Sequence, residues 1–292
     1  MSTKVFVSGG SGYIGLQVAR AFRRNGYRVY ALVRGEDKAA ALRRDEIIPV
    51  LGDLSKPETY IEYVKQASVI VDNVYDTSEA QPGRSNKQLL DLVVETAEQG
   101  WHQKKTFIYT SGVLVYGDRP EEVVDETTPV NPHPLIQWRI DHEKAVVGQD
   151  KINGVVIRPS FVYGYSGSFS SYLFNITGDT LVIRGKRERK WSWVHVDDLA
   201  QAYVLAVQKI HAAKGEVFNI ASPTSSPTWE ELNQRAAKLP AGDDFWSQFI
   251  DATVVVNPKK AVDVLGWRPH HLGLVEELPL LYETIKAFQP PK

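Results

Sequence analysis

Three glycines near the amino terminus have the spacing of a phosphate-binding loop. Gly9, Gly12 and Gly15 form a G-x-x-G-x-x-G pattern between an apolar stretch and a helical pattern, the context that such a loop requires. Glycine permits a tight turn and lets backbone N–H groups approach a pyrophosphate, while the following helix contributes its dipole. We therefore predict that this loop binds a dinucleotide. The predicted contacts are Gly9, Gly12, Tyr13, Ile14 and Gly15.

A basic residue ends the second predicted strand, residues 27–33. Chains that bind NAD usually place an acidic residue there for the ribose 2′-hydroxyl, but this sequence has Arg34, with Lys38 as a helper. A planar guanidinium suits a 2′-phosphate, to which it donates two parallel hydrogen bonds. The position predicts NADP in preference to NAD.

The third predicted strand, residues 47–51, is followed by Gly52, Asp53 and Leu54. Asp53 and Leu54 are candidate contacts for the adenine. Asp53 also has the position of a residue that caps the turn before Pro57. The spacing leaves both interpretations open.

Short apolar runs alternate with helical patterns along the first half of the chain. Strands separated by helices of this length form right-handed crossover units, so the pattern predicts an α/β fold with a Rossmann-type, doubly wound parallel sheet. After about Tyr163 the elements become shorter and richer in Ser, Gly and Trp. We predict a dinucleotide-binding domain at 1–164 and a substrate-side lobe at 165–292, some of whose strands return to the sheet.

Composition excludes several classes of function. The 34 Lys and Arg residues balance 35 Asp and Glu, which argues against a nucleic-acid surface, and the basic run at 184–190 is too short to change this. The chain has no cysteine, so disulfides and thiolate chemistry are absent. No apolar run approaches the ~18 residues of a membrane span, and no secretory signal pattern is present, which predicts a cytoplasmic protein that does not bind membranes.

Seven separate segments resemble the extended or atypical short-chain dehydrogenase/reductases, the epimerase/dehydratase-like group. In order they are VSGGSGYIG at 7–15, GDL at 52–54, TSGVLVYG at 110–117, IRPSFVYG at 157–164, WVHVDDL at 193–199, FNI at 218–220 and LGWRP at 265–269. The resemblance implies a parallel sheet of about seven strands flanked by helices, and a small C-terminal substrate-binding lobe. It also implies a small-molecule substrate, and it suggests a homodimer formed through two helices of the Rossmann half.

The catalytic residues of that family are replaced here. Its members use a Ser or Thr with a Y-x-x-x-K pair on one helix. Alignment on Glu143 places Leu135 at the Tyr position and Arg139 at the Lys position, while Gly112 takes the Ser position beside Ser111. Leucine cannot exchange a proton. Arg139 can bind a ribose, but its high pKa makes it a poor proton shuttle.

Three hypotheses follow from this loss. The chain is an NADP-dependent oxidoreductase or epimerase-like enzyme with a relocated acid, acting on a small carbonyl or hydroxyl compound; or it binds NADP as a non-catalytic sensor or scaffold; or it is a non-redox isomerase, cyclase or lyase. For the first, the candidate catalytic residues are Ser111, Tyr116, Arg139, His142 and Tyr163. The tyrosines also fit packed aromatic residues, and His142 also fits a surface histidine.

A group that looks like a metal site has a simpler interpretation. His195 is followed by Asp197 and Asp198 where a helix begins, so we predict that the aspartates cap this helix. His270 and His271 follow a proline in a turn, where we expect a solvated loop. No metal is predicted.

Overall fold

The computed structural model describes residues 3–75, 81–97, 104–165, 174–177, 180–183, 187–235 and 252–288. Its central feature is a parallel sheet with the strand order β3-β2-β1-β4-β5-β7-β12. The strands are β1 (Lys4–Ser8), β2 (Arg28–Val33), β3 (Ile48–Leu51), β4 (Val69–Asp72), β5 (Thr106–Thr110), β6 (Val123–Val124), β7 (Asn153–Pro159), β8 (Phe161–Tyr163), β9 (Phe174–Thr177), β10 (Thr180–Ile183), β11 (Trp193–His195), β12 (Glu216–Ile220) and β13 (Val255–Val256). The predicted doubly wound fold is confirmed, and its order reverses between β1 and β4, where such sheets bind ligands.

Helices cover both faces of this sheet. The α-helices are α1 (Tyr13–Arg24), α2 (Glu36–Arg44), α3 (Ile61–Gln66), α4 (Arg84–Ala97), α5 (Trp138–Val147), α6 (Val196–Gln208), α7 (Ile210–Ala213), α8 (Trp229–Arg235) and α9 (Leu274–Phe288). Short 3₁₀ turns occur at Pro57–Thr59, Val113–Tyr116 and Pro134–Ile136, and a π-helical turn at Ala261–Leu265.

The strands are apolar on both faces because each face has its own helical layer. In β1, Val5 and Val7 belong to the core formed with α1 and α6, whereas Phe6 belongs to the core formed with α3 and α4. All three side chains are fully buried. The period-two alternation of a strand thus supplies two separate hydrophobic cores, which is why the strands read as continuous apolar runs.

One strand of the sheet comes from beyond residue 164. β12 pairs with β7 in parallel, with Phe218 opposite Ile157. The division of the chain at residue 164 remains a prediction. Near the C-terminal end, β13 pairs in parallel with the two residues of β6, and Val254 forms an isolated bridge with Trp191. Of the basic run, 184–186 lie outside the described residues, and Arg189 pairs with Asp118.

A buried ion pair joins α5 to the sheet. The guanidinium of Arg158 on β7 donates to both carboxylate oxygens of Glu143 on α5, with Nε 3.1 Å from Oε1. Its Nη1 donates to the Tyr116 hydroxyl at 2.9 Å, and Asn219 Nδ2 donates to the same oxygen at 2.9 Å. This network ties α5, β7, β12 and the Val113–Tyr116 turn into one unit.

We expect Glu143→Gln to destabilise the protein by about 3–5 kcal/mol, because it leaves the Arg158 charge buried without its counter-ion. Urea unfolding measures the loss. The matched control is Glu62→Gln, which breaks an exposed pair with Lys65 and should leave the unfolding midpoint unchanged. Equal effects of the two substitutions would contradict the assignment.

Candidate functional site

The glycine loop leaves the start of α1 open to an anion. Gly12 is the N-cap residue, no side chain caps the helix, and its first turn has no acidic residue. A Cβ at Gly15 would lie 2.2 Å from the Gly9 carbonyl oxygen, and Gly9 itself has a φ of +63°. Both positions therefore require glycine, and the N-terminal end of α1, with its helix dipole, fits a pyrophosphate.

A groove of about 550 Å³ runs from this loop across the ends of β2 and β3. It brings together five predicted cofactor contacts, namely Gly9, Gly12, Arg34, Asp53 and Leu54. Arg34 and Lys38 are exposed in it, beside the carboxylate of Asp37. The groove thus carries two cations where the sequence predicts a 2′-phosphate.

Asp53 is partly committed to its own turn. Its Oδ1 accepts hydrogen bonds from Ser55 N at 2.9 Å and from Ser55 Oγ at 2.7 Å. These bonds lower the pKa of the Asp53 carboxyl, and Arg34 contributes in the same direction. The capping interpretation is therefore observed, while contact with an adenine remains a prediction.

The groove floor rests on a buried carboxylate at the end of β4. Asp72 is fully buried and accepts hydrogen bonds from Ser8 Oγ at 2.5 Å, Asn86 Nδ2 at 2.8 Å and Val74 N at 3.3 Å. Next to it, Asn73 lines the groove and accepts from Thr110 Oγ1 at 2.6 Å through its Oδ1. The network holds the residue before the glycine loop against the end of β4.

An apolar cavity of about 230 Å³ adjoins the groove, and Tyr75 lines both. Tyr13, Ile14, Ser111 and Arg139 also line it, so the structure brings four predicted site residues to one place. The remaining lining residues are Gly112, Val113, Leu114, Val115, Ile136, Pro159, Ser160, Phe161 and Val162.

The guanidinium of Arg139 lies over two aromatic rings. Its guanidinium carbon lies 4.5 Å from the ring centre of Tyr75 and 5.5 Å from that of Trp138. Leu135 diverges from it: Leu135 lies in the Pro134–Ile136 turn, is 47% exposed and does not line the cavity. The i, i+4 spacing fails to align the two because a 3₁₀ turn advances more degrees per residue than an α-helix.

Three other candidate catalytic residues lie away from the cavity. Tyr116 is buried in the Arg158 network, and burial raises the pKa of its phenol. His142 is buried against Tyr109, edge to face with ring centres 4.5 Å apart, and burial lowers its pKa. Tyr163, the last residue of β8, is buried, and the pKa of its phenol is raised by burial and by Glu277.

The histidines predicted in a solvated turn and at a helix start instead meet each other. His195 and His271 stack with ring centres 3.4 Å apart, and His271 Nδ1 lies 2.9 Å from Glu277 Oε1. The loop predicted for these two histidines is solvated at His270, which is exposed, whereas His271 is only partly exposed and contacts Glu277. The capping role predicted for Asp197 and Asp198 is wrong. His195 caps α6 by accepting from Asp197 N, and the Asp198 carboxylate accepts from the backbone N–H groups of His270 and His271.

This stack, defined by His195, His271 and Glu277, supports the cavity wall. These three side chains offer possible metal-ligand atoms that lie within 4.8 Å of one another. However, near-parallel rings direct their in-plane lone pairs side by side, and both Nδ1 atoms already have partners. A Cβ at Gly164 would lie 2.4 Å from His195 Nε2, and the Gly164 carbonyl accepts from the Tyr13 hydroxyl at 2.7 Å. The stack thus positions Tyr13 through Gly164.

The sequence interpretation missed Tyr75, Ser160 and Asn73. Asn73 and Tyr75 follow β4, and Ser160 follows β7, so each lies just beyond a strand end. The carboxyl ends of parallel strands meet at one edge, where such sheets bind ligands. Their positions just after strand ends are the sequence signal that could have identified these three residues.

The comparison with family models decides the family. The model of the NAD dependent epimerase/dehydratase family matches residues 5–221. The chain belongs to this family. An oxidoreductase-like function with a nicotinamide dinucleotide cofactor follows at that level. Within the part of the chain that the structure describes, no helix is long and apolar enough to cross a membrane.

Individual relatives differ in what they act on. A ketoreductase of Stigmatella aurantiaca for 4-hydroxy-2-methyl-3-oxo-4-farnesyl-3,4-dihydroquinoline-1-oxide is 30% identical over 233 residues, covering 74% of this chain and 67% of its own. The dTDP-glucose 4,6-dehydratase of Bacillus anthracis, solved with NAD, is 17% identical with a TM-score of 0.79, covering 98% of this chain and 97% of its own. The UDP-glucose 4-epimerase of Thermotoga maritima, solved with UDP-glucose, is 20% identical with a TM-score of 0.76, covering 98% and 99%. The two structures share the fold with this chain.

The stack predicts a pH-dependent stability. Burial lowers the pKa of His195, and His271 lowers it further, although Asp197, Glu277 and Asp198 oppose the shift. The folded protein therefore binds fewer protons than the unfolded chain, and the free energy of unfolding should fall as the pH drops below the unfolded histidine pKa of about 6.5, by at most ~1.4 kcal/mol per pH unit for each such group.

His195→Asn, whose side chain also caps a helix, should flatten this dependence between pH 7.5 and 5.5 in urea titrations. His142 contributes in the same direction, so a residual slope remains in the variant. The exposed His211, changed to Asn, serves as the control. An unchanged slope in His195→Asn would contradict the assignment.

Proposed function

We propose that the chain is an NADP-dependent oxidoreductase that transfers a hydride to or from a small carbonyl or hydroxyl compound. The observation that supports this most is the junction at Tyr75, where the groove with the glycine loop meets the apolar cavity. A nicotinamide, when bound, supplies or accepts the hydride. The chain must hold the substrate, exclude water and manage the proton.

Arg34 and Lys38 support NADP as the cofactor. Both side chains are exposed in the groove, where a 2′-phosphate would find two cations. Asp37 lies in the same groove and opposes the phosphate charge. A relative of known structure holds NAD, which makes the preference between the two cofactors the first property to test.

Tyr75 is our candidate for the proton that accompanies hydride transfer. In the reducing direction, the carbonyl carbon gains the hydride and the oxygen gains a proton from the phenol, which solvent water then reprotonates. Tyr13, the other tyrosine on the described cavity wall, already donates its hydroxyl to the Gly164 carbonyl. The guanidinium of Arg139, 4.5 Å from the ring centre of Tyr75, stabilises the negative charge that donation leaves.

Ser111 and Arg139 keep their sequence-predicted roles in this proposal, beside the substrate and the ribose. A cytoplasmic location and a homodimer remain predictions from the sequence.

The cofactor prediction is that NADPH binds more tightly than NADH, and that Arg34→Ala weakens NADPH by about 10- to 100-fold while NADH changes little, because only NADPH loses a charged hydrogen bond. Asp37→Asn should strengthen NADPH binding several-fold. Fluorescence titration measures both. Arg28→Ala, at the opposite end of β2, is the matched control. NADH binding as tight as NADPH binding would contradict the preference, and no binding of either would leave a non-redox enzyme or a scaffold.

The proton prediction is that Tyr75→Phe lowers kcat by at least about 100-fold and leaves the Kd of NADPH within about 3-fold, because only the hydroxyl is removed. Leu135→Phe, a change at an exposed position that does not line the cavity, should leave kcat within about 3-fold. Full activity of Tyr75→Phe would exclude it as the donor. If the protein binds NADPH but reduces no carbonyl compound, the result would favour the hypothesis of a non-catalytic sensor.

A further inference from the structure

Two serines that line the apolar cavity have buried hydroxyls without a hydrogen-bond partner. Ser111 is 7% exposed and Ser160 is 4% exposed, and neither Oγ contacts a polar group of the described chain. Their backbones are fixed, because Ser111 N donates to Ile157 O at 2.8 Å and Ser160 N donates to Ile220 O at 2.9 Å. Since buried hydroxyls are almost always paired, two that line one cavity indicate a ligand oxygen.

A third unpaired donor lies on the same wall. Arg139 Nε is buried and has no hydrogen-bond partner, while the guanidinium carbon lies 4.5 Å from the ring centre of Tyr75. No carboxylate among the described residues pairs with it.

Gly112 provides the space between these groups. A Cβ there would lie 3.7 Å from Arg139 Nη1 and 4.0 Å from the Pro159 carbonyl oxygen, both ordinary contacts. Its φ of 178° is an extended conformation that any residue adopts. The backbone does not require glycine at this position, so the missing side chain leaves room beside the three donors.

The rest of the described wall is apolar. Beyond Ser111, Ser160, Arg139 and the two tyrosines, the lining side chains are aliphatic or aromatic: Ile14, Val113, Leu114, Val115, Ile136, Pro159, Phe161 and Val162. A sugar ring would bury several hydroxyls against this wall without hydrogen-bond partners, which is unfavourable. A ligand with an apolar skeleton and one oxygen would pack against the apolar side chains and accept hydrogen bonds from the three donors.

We propose that this cavity binds an apolar ketone or aldehyde, or the corresponding alcohol, with its oxygen held by the Ser111 and Ser160 hydroxyls and the Arg139 guanidinium. The inference rests on the proposed function and adds the substrate class and the role of Ser160. The two hydroxyls orient the carbonyl, and the guanidinium stabilises the charge that develops on its oxygen.

The test is calorimetric titration of the protein, with and without saturating NADP⁺, using benzylacetone as the apolar ketone and dihydroxyacetone and UDP-glucose as polar probes. We expect benzylacetone to bind at least about 30-fold more tightly than dihydroxyacetone. Ser111→Ala and Ser160→Ala should each weaken benzylacetone about 3- to 30-fold, the value of one or two hydrogen bonds, and leave the Kd of NADPH unchanged.

Ser222→Ala is the matched control. Ser222 is also buried at the carboxyl edge of the sheet, two residues after β12, but it contacts Thr224 and does not line the cavity. Equal losses in the three variants would show a general packing effect and overturn the role of the hydroxyls.

The outcomes separate this inference from the function it rests on. Tight NADPH binding with no benzylacetone binding, whether or not UDP-glucose binds, overturns the substrate class and leaves the cofactor assignment intact. Benzylacetone binding that is lost in Ser111→Ala and Ser160→Ala supports the site even if NADPH does not bind, in which case the oxidoreductase function alone fails.

Discussion

The buried carboxylate of Asp72 is the interaction on which the cofactor groove depends. Its charge lies between β1 and β4, where the strand order reverses, and it is compensated by donors from three parts of the chain: Ser8 Oγ, Asn86 Nδ2 and the Val74 backbone. A buried charge is tolerated only when such donors surround it. The requirement fixes the residue before the glycine loop, the start of α4 and the end of β4 in one arrangement.

The same edge of the sheet contains buried polar groups that have hydrogen-bond partners and others that have none. The first group stabilises the fold, and we assign the second to ligand binding. Arg158, Tyr116 and Asn219 bond to one another beneath the surface and stabilise the junction of β7 and β12. Ser111 and Ser160 follow β5 and β7, yet their hydroxyls have no partner. Folding alone would favour apolar residues at such positions, so these two point to a ligand.

Local signals in the sequence were sufficient to predict the fold and the candidate cofactor contacts that line the groove. The glycine loop, Arg34 and Asp53 are recognisable because their roles depend on neighbours within a few residues, and the groove brings them together. Ser160 and Tyr75 could be recognised only by their places after strands, because what they face is set by tertiary packing.

The dependence on tertiary packing also explains why the contact between His195 and His271 was not predicted. His195 and His271 are 76 positions apart in the sequence, and no spacing rule relates them. The Asp198 carboxylate brings them together by accepting from two backbone N–H groups of the distant turn. A helix-start aspartate usually caps its own helix, but here the His195 ring performs that role and the aspartate is free to bind the turn.

The predicted replacement of the family tyrosine by Leu135 involves more than a change of side chain. Pro134 begins a 3₁₀ turn before α5, and this turn directs residue 135 to solvent while residue 139 faces the cavity. A tyrosine on the same backbone would therefore lie away from Arg139. In our proposal the acid comes from the segment after β4, which places the Tyr75 ring 4.5 Å from the Arg139 guanidinium carbon. Gly112 is consistent with this proposal, since the missing side chain leaves room beside Arg139 where we propose that the substrate binds.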